Sequence, residues 1–203
     1  MSTVGAGSFL ALQNDKFTWP VFIWTVTTTV FLQILSNLAN DYGDSQHGAD
    51  SEHRIGPTRA VQSGIISSSE MKAGVIVLAI LSFISGLQLL NVAFGFGSRL
   101  FYIFLGIGVL SIIAAYTYTA GKRPYGYAGF GDLMVLIFFG LVGVAGSYYL
   151  FNQEFERLIV LPALSMGLLA TGVLNINNMR DLNSDRLAGK ITIPVRLGLA
   201  KAK

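Results

Sequence analysis

The chain has 203 residues, of which 52% are hydrophobic and only 12% charged, with a formal net charge of +3 and a mean hydropathy of +0.57. A soluble domain carries about 25% charged residues, so this composition excludes an ordinary water-soluble globule. There is no cysteine and therefore no disulfide framework. The pI near 9.2 follows from where the basic residues lie and does not call for a nucleic-acid partner.

Residues 1–14 carry no charge but are too short to cross about 30 Å of hydrocarbon as a helix. They read as an interfacial piece, or as the tail of a helix that begins upstream. A signal peptide fits less well, because no basic region precedes them and no clear cleavage site follows. Five longer stretches are also free of charge: 17–40, 73–98, 100–121, 133–153 and 158–179. Each reaches the ~20 residues that a spanning helix needs, whereas strands of a membrane barrel would be shorter and alternate in polarity. The expected fold class is all-α, a polytopic membrane helix bundle. Its single transmembrane domain has whole spans at about 18–39, 73–97, 100–120, 133–152 and 158–178, plus a partial N-terminal one.

If the spans alternate, the connections 41–72, 122–132 and 180–203 share one face, which holds eleven Lys and Arg. The other face holds only Lys16, Arg99 and Arg157. By the positive-inside rule the first face is cytoplasmic. Eight of the eleven acidic residues lie there too, so its net charge is only +3. This is a surface that holds both signs.

The first span runs toward that face and ends in "NLANDYGDSQHGAD", residues 37–50. Asn37, Asn40, Asp41 and Asp44 are spaced i, i+3, i+4, i+7, which puts them on one face of a continuing helix. The loop after it, "SEHRIGPTRAVQSGIISSSE", is broken by Gly56-Pro57, and Ser67–Glu70 reads as the N-cap of the second span. His47 and His53 lack metal-ligand spacing and read as loop residues. The third span ends in "AAYTYTAGKRPYGYAGFGD". There Tyr118 and Lys122 are four apart on one expected helical face, suited either to interfacial anchoring or to contact with an anion. Gly140, Gly143 and Gly146 inside the fourth span suit close helix packing.

The fifth span also runs toward the first face and ends in "NINNMRDLNSD", with Asn177, Asp181 and Asp185 spaced i, i+4, i+8. Carboxylates with amide oxygens and without His or Cys suit hard cations, hence Mg²⁺ rather than zinc. Mg²⁺ typically takes one or two carboxylates together with substrate phosphates, so two facing carboxylate pairs suit a metal-bound diphosphate. Arg54, Arg59, Lys122, Arg123, Arg180, Arg186 and Lys190 lie near the motifs or in their loops and could complete the cradle, Arg as a bidentate clamp and Lys as a point charge. Helix-end solvation is the alternative for one such stripe, though the helix dipole disfavours acids at a C-terminus. A polar pathway for ions, as in a cation transporter with an acidic cytoplasmic vestibule, is the alternative from another class.

"NDYGD" and "RDLNSDRLAGKITIPVRLG" are similar to the two aspartate-rich motifs of the UbiA superfamily of intramembrane aromatic prenyltransferases, and Tyr118-x-x-x-Lys122 resembles a third, weaker element. The stretches "LQILSNLANDYGDSQHGAD", "RIGPTRAVQSG", "GKRPYGYAGFGD" and "LLATGVLNINNMRDLNSDR" look most like its naphthoate branch. The resemblance implies Mg²⁺-dependent transfer of a polyprenyl group from polyprenyl diphosphate to 1,4-dihydroxy-2-naphthoate. The ring carboxylate would leave as CO₂ to give demethylmenaquinol, in menaquinone biosynthesis at the bacterial inner membrane. It implies that Asp41, Asp44, Asp181 and Asp185 are the metal–diphosphate carboxylates. Asn37 and Asn40 would lie beside them, with Arg59, Tyr118, Lys122 and Arg123 on the diphosphate. Many superfamily members have a further aspartate where this chain has Gly48, and the resemblance puts Asp50 in its place. Members usually have about nine helices, so this chain resembles a piece incomplete at both ends. A sister prenyltransferase with another acceptor, such as 4-hydroxybenzoate, is the near alternative. The charge-free span interiors argue against the transporter.

Overall fold

The computed structural model describes residues 1–47 and 59–203, and among these there are helices and turns but no strand. Among the described residues, five helical segments are long and apolar enough to cross a membrane: Trp19–His47, Ser68–Phe94, Arg99–Thr117, Gly131–Asn152 and Arg157–Arg180. The first three are single helices α2, α3 and α4. The fourth comprises α5 (Gly131–Val135), a wider π-helical stretch (Leu136–Gly146) and α6 (Ser147–Asn152). The fifth opens with a 3₁₀ turn and continues as α7 (Val160–Arg180). Ahead of them lies α1 (Ser2–Gln13), and after them the short helices α8 (Leu182–Leu187), α9 (Ile193–Leu197) and α10 (Leu199–Ala202). Ile80, Leu110, Leu168 and Val173 are each more than half exposed. Helices that turn such residues outward suit a lipid surround.

Local chemistry explains the boundaries. Hydroxyls inside α2 donate to carbonyls one turn back, Thr25 to Val21 at 2.7 Å and Thr29 to Thr25 at 2.7 Å, which leaves them satisfied in apolar surroundings. α3 starts at a capping box in which the Ser67 hydroxyl accepts from the Glu70 amide and Glu70 accepts from the Ser67 amide. Its start at Ser68 brings Lys72 into the helix. Ser98 caps α4 by accepting from the Phe101 amide at 3.1 Å. α2 runs well beyond the apolar stretch, through both acidic residues to His47, so His47 is a helical residue rather than a loop one.

The helices pack chiefly as α2 against α3 with α4 beside both, and as α7 against the π-helical stretch with α1 alongside. Glycines set the second of these contacts. A Cβ on Gly140 would lie 2.6 Å from the Ala163 carbonyl oxygen, and one on Gly167 would lie 3.0 Å from the Gly140 Cα. A Cβ on Gly143 would meet the Thr3 hydroxyl at 2.9 Å, whereas Gly146 meets nothing closer than 3.9 Å. Close packing therefore explains the first two glycines of that run and not the third. The larger apolar core includes Ala11, Leu90, Phe101, Val144 and Phe151, toward the end of the bundle away from the acidic motifs. There Asn14, Tyr148 and Asn152 donate to Glu156, tying α1 to α6.

Candidate functional site

The site begins where α2 meets the turn after α4. A Cβ on Gly43 would lie 2.4 Å from the Thr119 carbonyl carbon and 2.6 Å from the Ala120 amide nitrogen, so only glycine allows this approach. The buried Thr119 hydroxyl lies 3.0 Å from the Ala39 carbonyl, to which it donates, and 3.1 Å from Asn40 Oδ1. This contact fixes the rotation of α2 about its axis, and hence the direction in which its acidic face points.

Asp44 is buried, its side chain 4% exposed, and three partners surround its carboxylate. Arg59 Nη2 lies 2.9 Å from Oδ2, while Lys190 Nζ lies 2.8 Å from Oδ1 and the Tyr127 hydroxyl donates to Oδ1 at 2.9 Å. A carboxylate withdrawn from water is tolerable when it is paired and hydrogen-bonded in this way. Lys190 Nζ also lies 3.8 Å from Asp185 Oδ1 and 4.8 Å from the centre of the Tyr127 ring. One ammonium thus touches a carboxylate from each acidic motif.

The loops that supply these groups are tied together. The Ile191 amide donates to the Tyr127 carbonyl at 2.8 Å, and Arg196 donates to the Ala128 carbonyl at 2.8 Å. Gly129 lies between them at φ 85°, where a Cβ would come within 2.5 Å of the Ile191 carbonyl oxygen.

Asp41 differs from Asp44. Its Oδ1 is buried without a hydrogen-bond partner, and the residue lines a polar cleft of about 260 Å³ with Asn37, Asn40 and Arg59. A larger cavity of about 600 Å³, lined by Trp24, Gln88, Asn91 and Phe101 among others, includes none of the expected site residues. In the second motif α7 stops at Asp181 and α8 follows at once, with the Asp185 amide still donating to the Asp181 carbonyl at 2.8 Å. The expected continuous face is therefore interrupted by one residue. Asp181 accepts a bidentate pair from its neighbour Arg180, at 2.8 and 2.7 Å, and Asp185 is buried. Asn177 is exposed on the last turns of α7.

Tyr118 and Lys122 do not share a helical face. α4 ends at Thr117, and Gly121 at φ 93° turns the chain. Lys122 and Arg123 project outward and exposed. The Tyr118 phenol is held well above its ordinary pKa, first by burial and then by Tyr125, Asp44, Asp132 and Asp185. It remains a neutral donor beside the carboxylates. Asp50, Arg54 and His53 lie outside the described residues. Among the described residues no group of three His, Cys, Asp or Glu stands ready to hold a metal ion. Mg²⁺ does not need one, since it commonly combines one or two carboxylates with substrate phosphates.

Three contributors escaped the sequence reading: Tyr127, Thr119, and Lys190 in its bridging position. Gly126 and Gly129 flanking the Tyr127 loop were the available signal. Nothing local marked the pairing of Lys190 with Asp44.

Fold and site together define a helical membrane protein with two acidic motifs drawn to a shared cation at one end of its bundle. Residues 1–203 match the UbiA prenyltransferase family, and the chain belongs to it. It is 52% identical, over its whole length, to 1,4-dihydroxy-2-naphthoate octaprenyltransferase of Haemophilus influenzae, covering 66% of that protein. It is 51% identical over 97% of its length to the Escherichia coli protein of the same name, covering 64% of it. The Mycobacterium tuberculosis protein of that name is 34% identical over the whole chain, with 67% covered. The chain thus spans about two thirds of the length of these relatives. No solved structure matches it.

Proposed function

We propose that the protein transfers a polyprenyl group from polyprenyl diphosphate to 1,4-dihydroxy-2-naphthoate with decarboxylation, as a step of menaquinone biosynthesis at the bacterial inner membrane. The observation that carries this reading is the juxtaposition of the two acidic motifs across Lys190 beside a polar cleft that contains the partnerless Asp41 Oδ1. The names of its relatives point the same way. The excess of Lys and Arg in the motif loops favours a cytoplasmic site.

Mg²⁺ fits the residues, which offer carboxylate and amide oxygens, one of them buried and unsatisfied. Asp41, Asp44, Asp181 and Asp185 would hold it, with Asp50 as a further candidate. When bound, the ion would neutralise charge on the departing diphosphate. Arg59 lines the cleft and offers a planar fork for phosphate oxygens. Asn37 and Asn40 donate amide hydrogens to the same group. Tyr118 donates from its neutral phenol, and Lys122 and Arg123 at the rim draw the anion in.

In the reaction the allylic carbon–oxygen bond breaks and its electron pair leaves with diphosphate. The electron-rich ring carbon that bears the carboxylate forms the new carbon–carbon bond, CO₂ departs, and the pair it leaves behind restores the aromatic ring. The protein's part is to stabilise the leaving anion and keep water from the allylic cation.

The test uses membranes containing the protein, supplied with 1,4-dihydroxy-2-naphthoate, a polyprenyl diphosphate and Mg²⁺, with an EDTA control. Metal-dependent formation of prenylated, decarboxylated quinol is expected. Product with 4-hydroxybenzoate and none with the naphthoate would move the protein to a sister branch.

A further inference from the structure

Asp44 and Asp185 come from different acidic motifs, and their side chains are only 4% and 8% exposed. Two carboxylates buried side by side repel one another and lose hydration, so something must neutralise them before any ligand arrives. Arg59 meets Asp44 from the first-motif side, at 2.9 Å. Lys190 serves both, at 2.8 Å to Asp44 and 3.8 Å to Asp185.

The two contacts are unequal, and the backbone below them is fixed. The Lys190 amide donates to the Asp185 carbonyl at 2.8 Å, and the next residue is tied to Tyr127. The backbone is therefore pinned while the four-carbon stem leaves the ammonium free to change partners. The Tyr127 ring gives it a second resting surface.

We propose that Lys190 is an internal counter-cation that clasps the two acidic motifs before ligand binds and yields its place to the divalent cation. This rests on the metal–diphosphate reading of the site and adds to it a competitor built into the chain. The consequence is specific. Removing the ammonium should strengthen binding of a bare divalent cation, because the carboxylates lose their alternative partner. A lysine that touched only the diphosphate, with its ammonium away from the carboxylates, would have no such effect on the cation alone.

The test is a Mn²⁺ titration of the purified full chain in detergent, followed by loss of the free-ion electron paramagnetic resonance signal, with no diphosphate present. Wild type, Lys190→Met and Lys190→Arg are compared. Lys190→Met is expected to bind Mn²⁺ roughly tenfold tighter, since one positive charge within about 4 Å of the carboxylates is removed, and Lys190→Arg to stay within about threefold of wild type. Without metal, Lys190→Met should also melt earlier than wild type, and saturating Mn²⁺ should close the gap. If the Met variant does not purify in folded form, Lys190→Gln, with the same charge removed, takes its place. Equal or weaker Mn²⁺ binding by the neutral variant overturns the clasp while leaving the metal reading standing. No Mn²⁺ binding by wild type or by the neutral variant overturns both.

Discussion

Gly43→Ala adds one methyl group to the middle of the first acidic motif, where backbone leaves no room for it. The new Cβ would lie 2.4 Å from the Thr119 carbonyl carbon, and ordinary contact begins at 3.4 Å, so α2 and the turn must separate by about 1 Å. Neither obstructing atom belongs to a side chain that could rotate away. Overpacking of this kind costs about 1–3 kcal/mol, against a gain of up to about 1 kcal/mol from replacing glycine inside a helix. The net expectation is a loss of up to about 2 kcal/mol. The effect on turnover should be larger, because Asp44 is the next residue and its contacts with Arg59 and Lys190 depend on the same helix position. A misplacement of about 1 Å at a reacting site can cost about a hundredfold in rate. Thermal denaturation in detergent would measure the first effect, and prenyl transfer well below the melting temperature the second. Gly86→Ala is the control, since its Cβ would meet only Thr28 Cγ2, at 3.9 Å. It should be as stable as wild type or more so. A Gly43→Ala protein that melts no earlier than wild type and turns over normally would refute the close approach of α2 to the turn.

Asp41→Ala and Asp181→Ala, made in the full-length protein, are each expected to abolish prenyl transfer while protease-protection patterns show unchanged insertion. Mg²⁺-dependent turnover in both would remove these residues from the site. Asp44→Asn should destabilise the fold by about 3 kcal/mol in chemical denaturation, because it removes the charge that Arg59 and Lys190 share at 2.9 and 2.8 Å. Burial pushes the Tyr125 phenol up to about 12, above its unfolded value near 10. A raised value means stability that is fully present below pH 10 and lost between pH 10 and 12, as the unfolded chain ionises first. Melting curves across that window should fall for wild type. They should fall less for Tyr125→Phe, which also starts lower because it lacks the hydrogen bond to the Ala114 carbonyl at 2.9 Å.

The helical, membrane-spanning character was legible because hydrocarbon excludes charge so strongly that the gaps between charged residues outline the helices. The Ser67–Glu70 cap and the extension of α2 through Asp44 were legible for a similar reason, since both rest on contacts within one helix turn. Tyr118 and Lys122 failed that test. Their spacing fits a helical face, but Gly121 ends the possibility of one, and the glycine carried more information than the spacing. The widening of the fourth span from Leu136 to Gly146 had no sequence signature. The partners of Asp44 were illegible for a deeper reason. Tyr127 is 83 residues away and Lys190 is further still, so no local pattern connects them. Their pairing exists only once the helices have packed.

That separation sets a timetable for the site during synthesis. Tyr127 can reach Asp44 only after the third span has been made, and Lys190 only after the fifth. At a translation rate of about 5–20 residues per second, the first aspartate waits on the order of ten seconds or more for its ammonium. Through that interval the lone carboxylate depends on water and Arg59 at the membrane surface, which keeps the end of α2 near the aqueous boundary while the later helices insert. The charge balance of the cleft is therefore among the last features this chain acquires. A ribosome that stalled before Lys190 would leave a protein with its spans largely in place and its two acidic motifs unclasped.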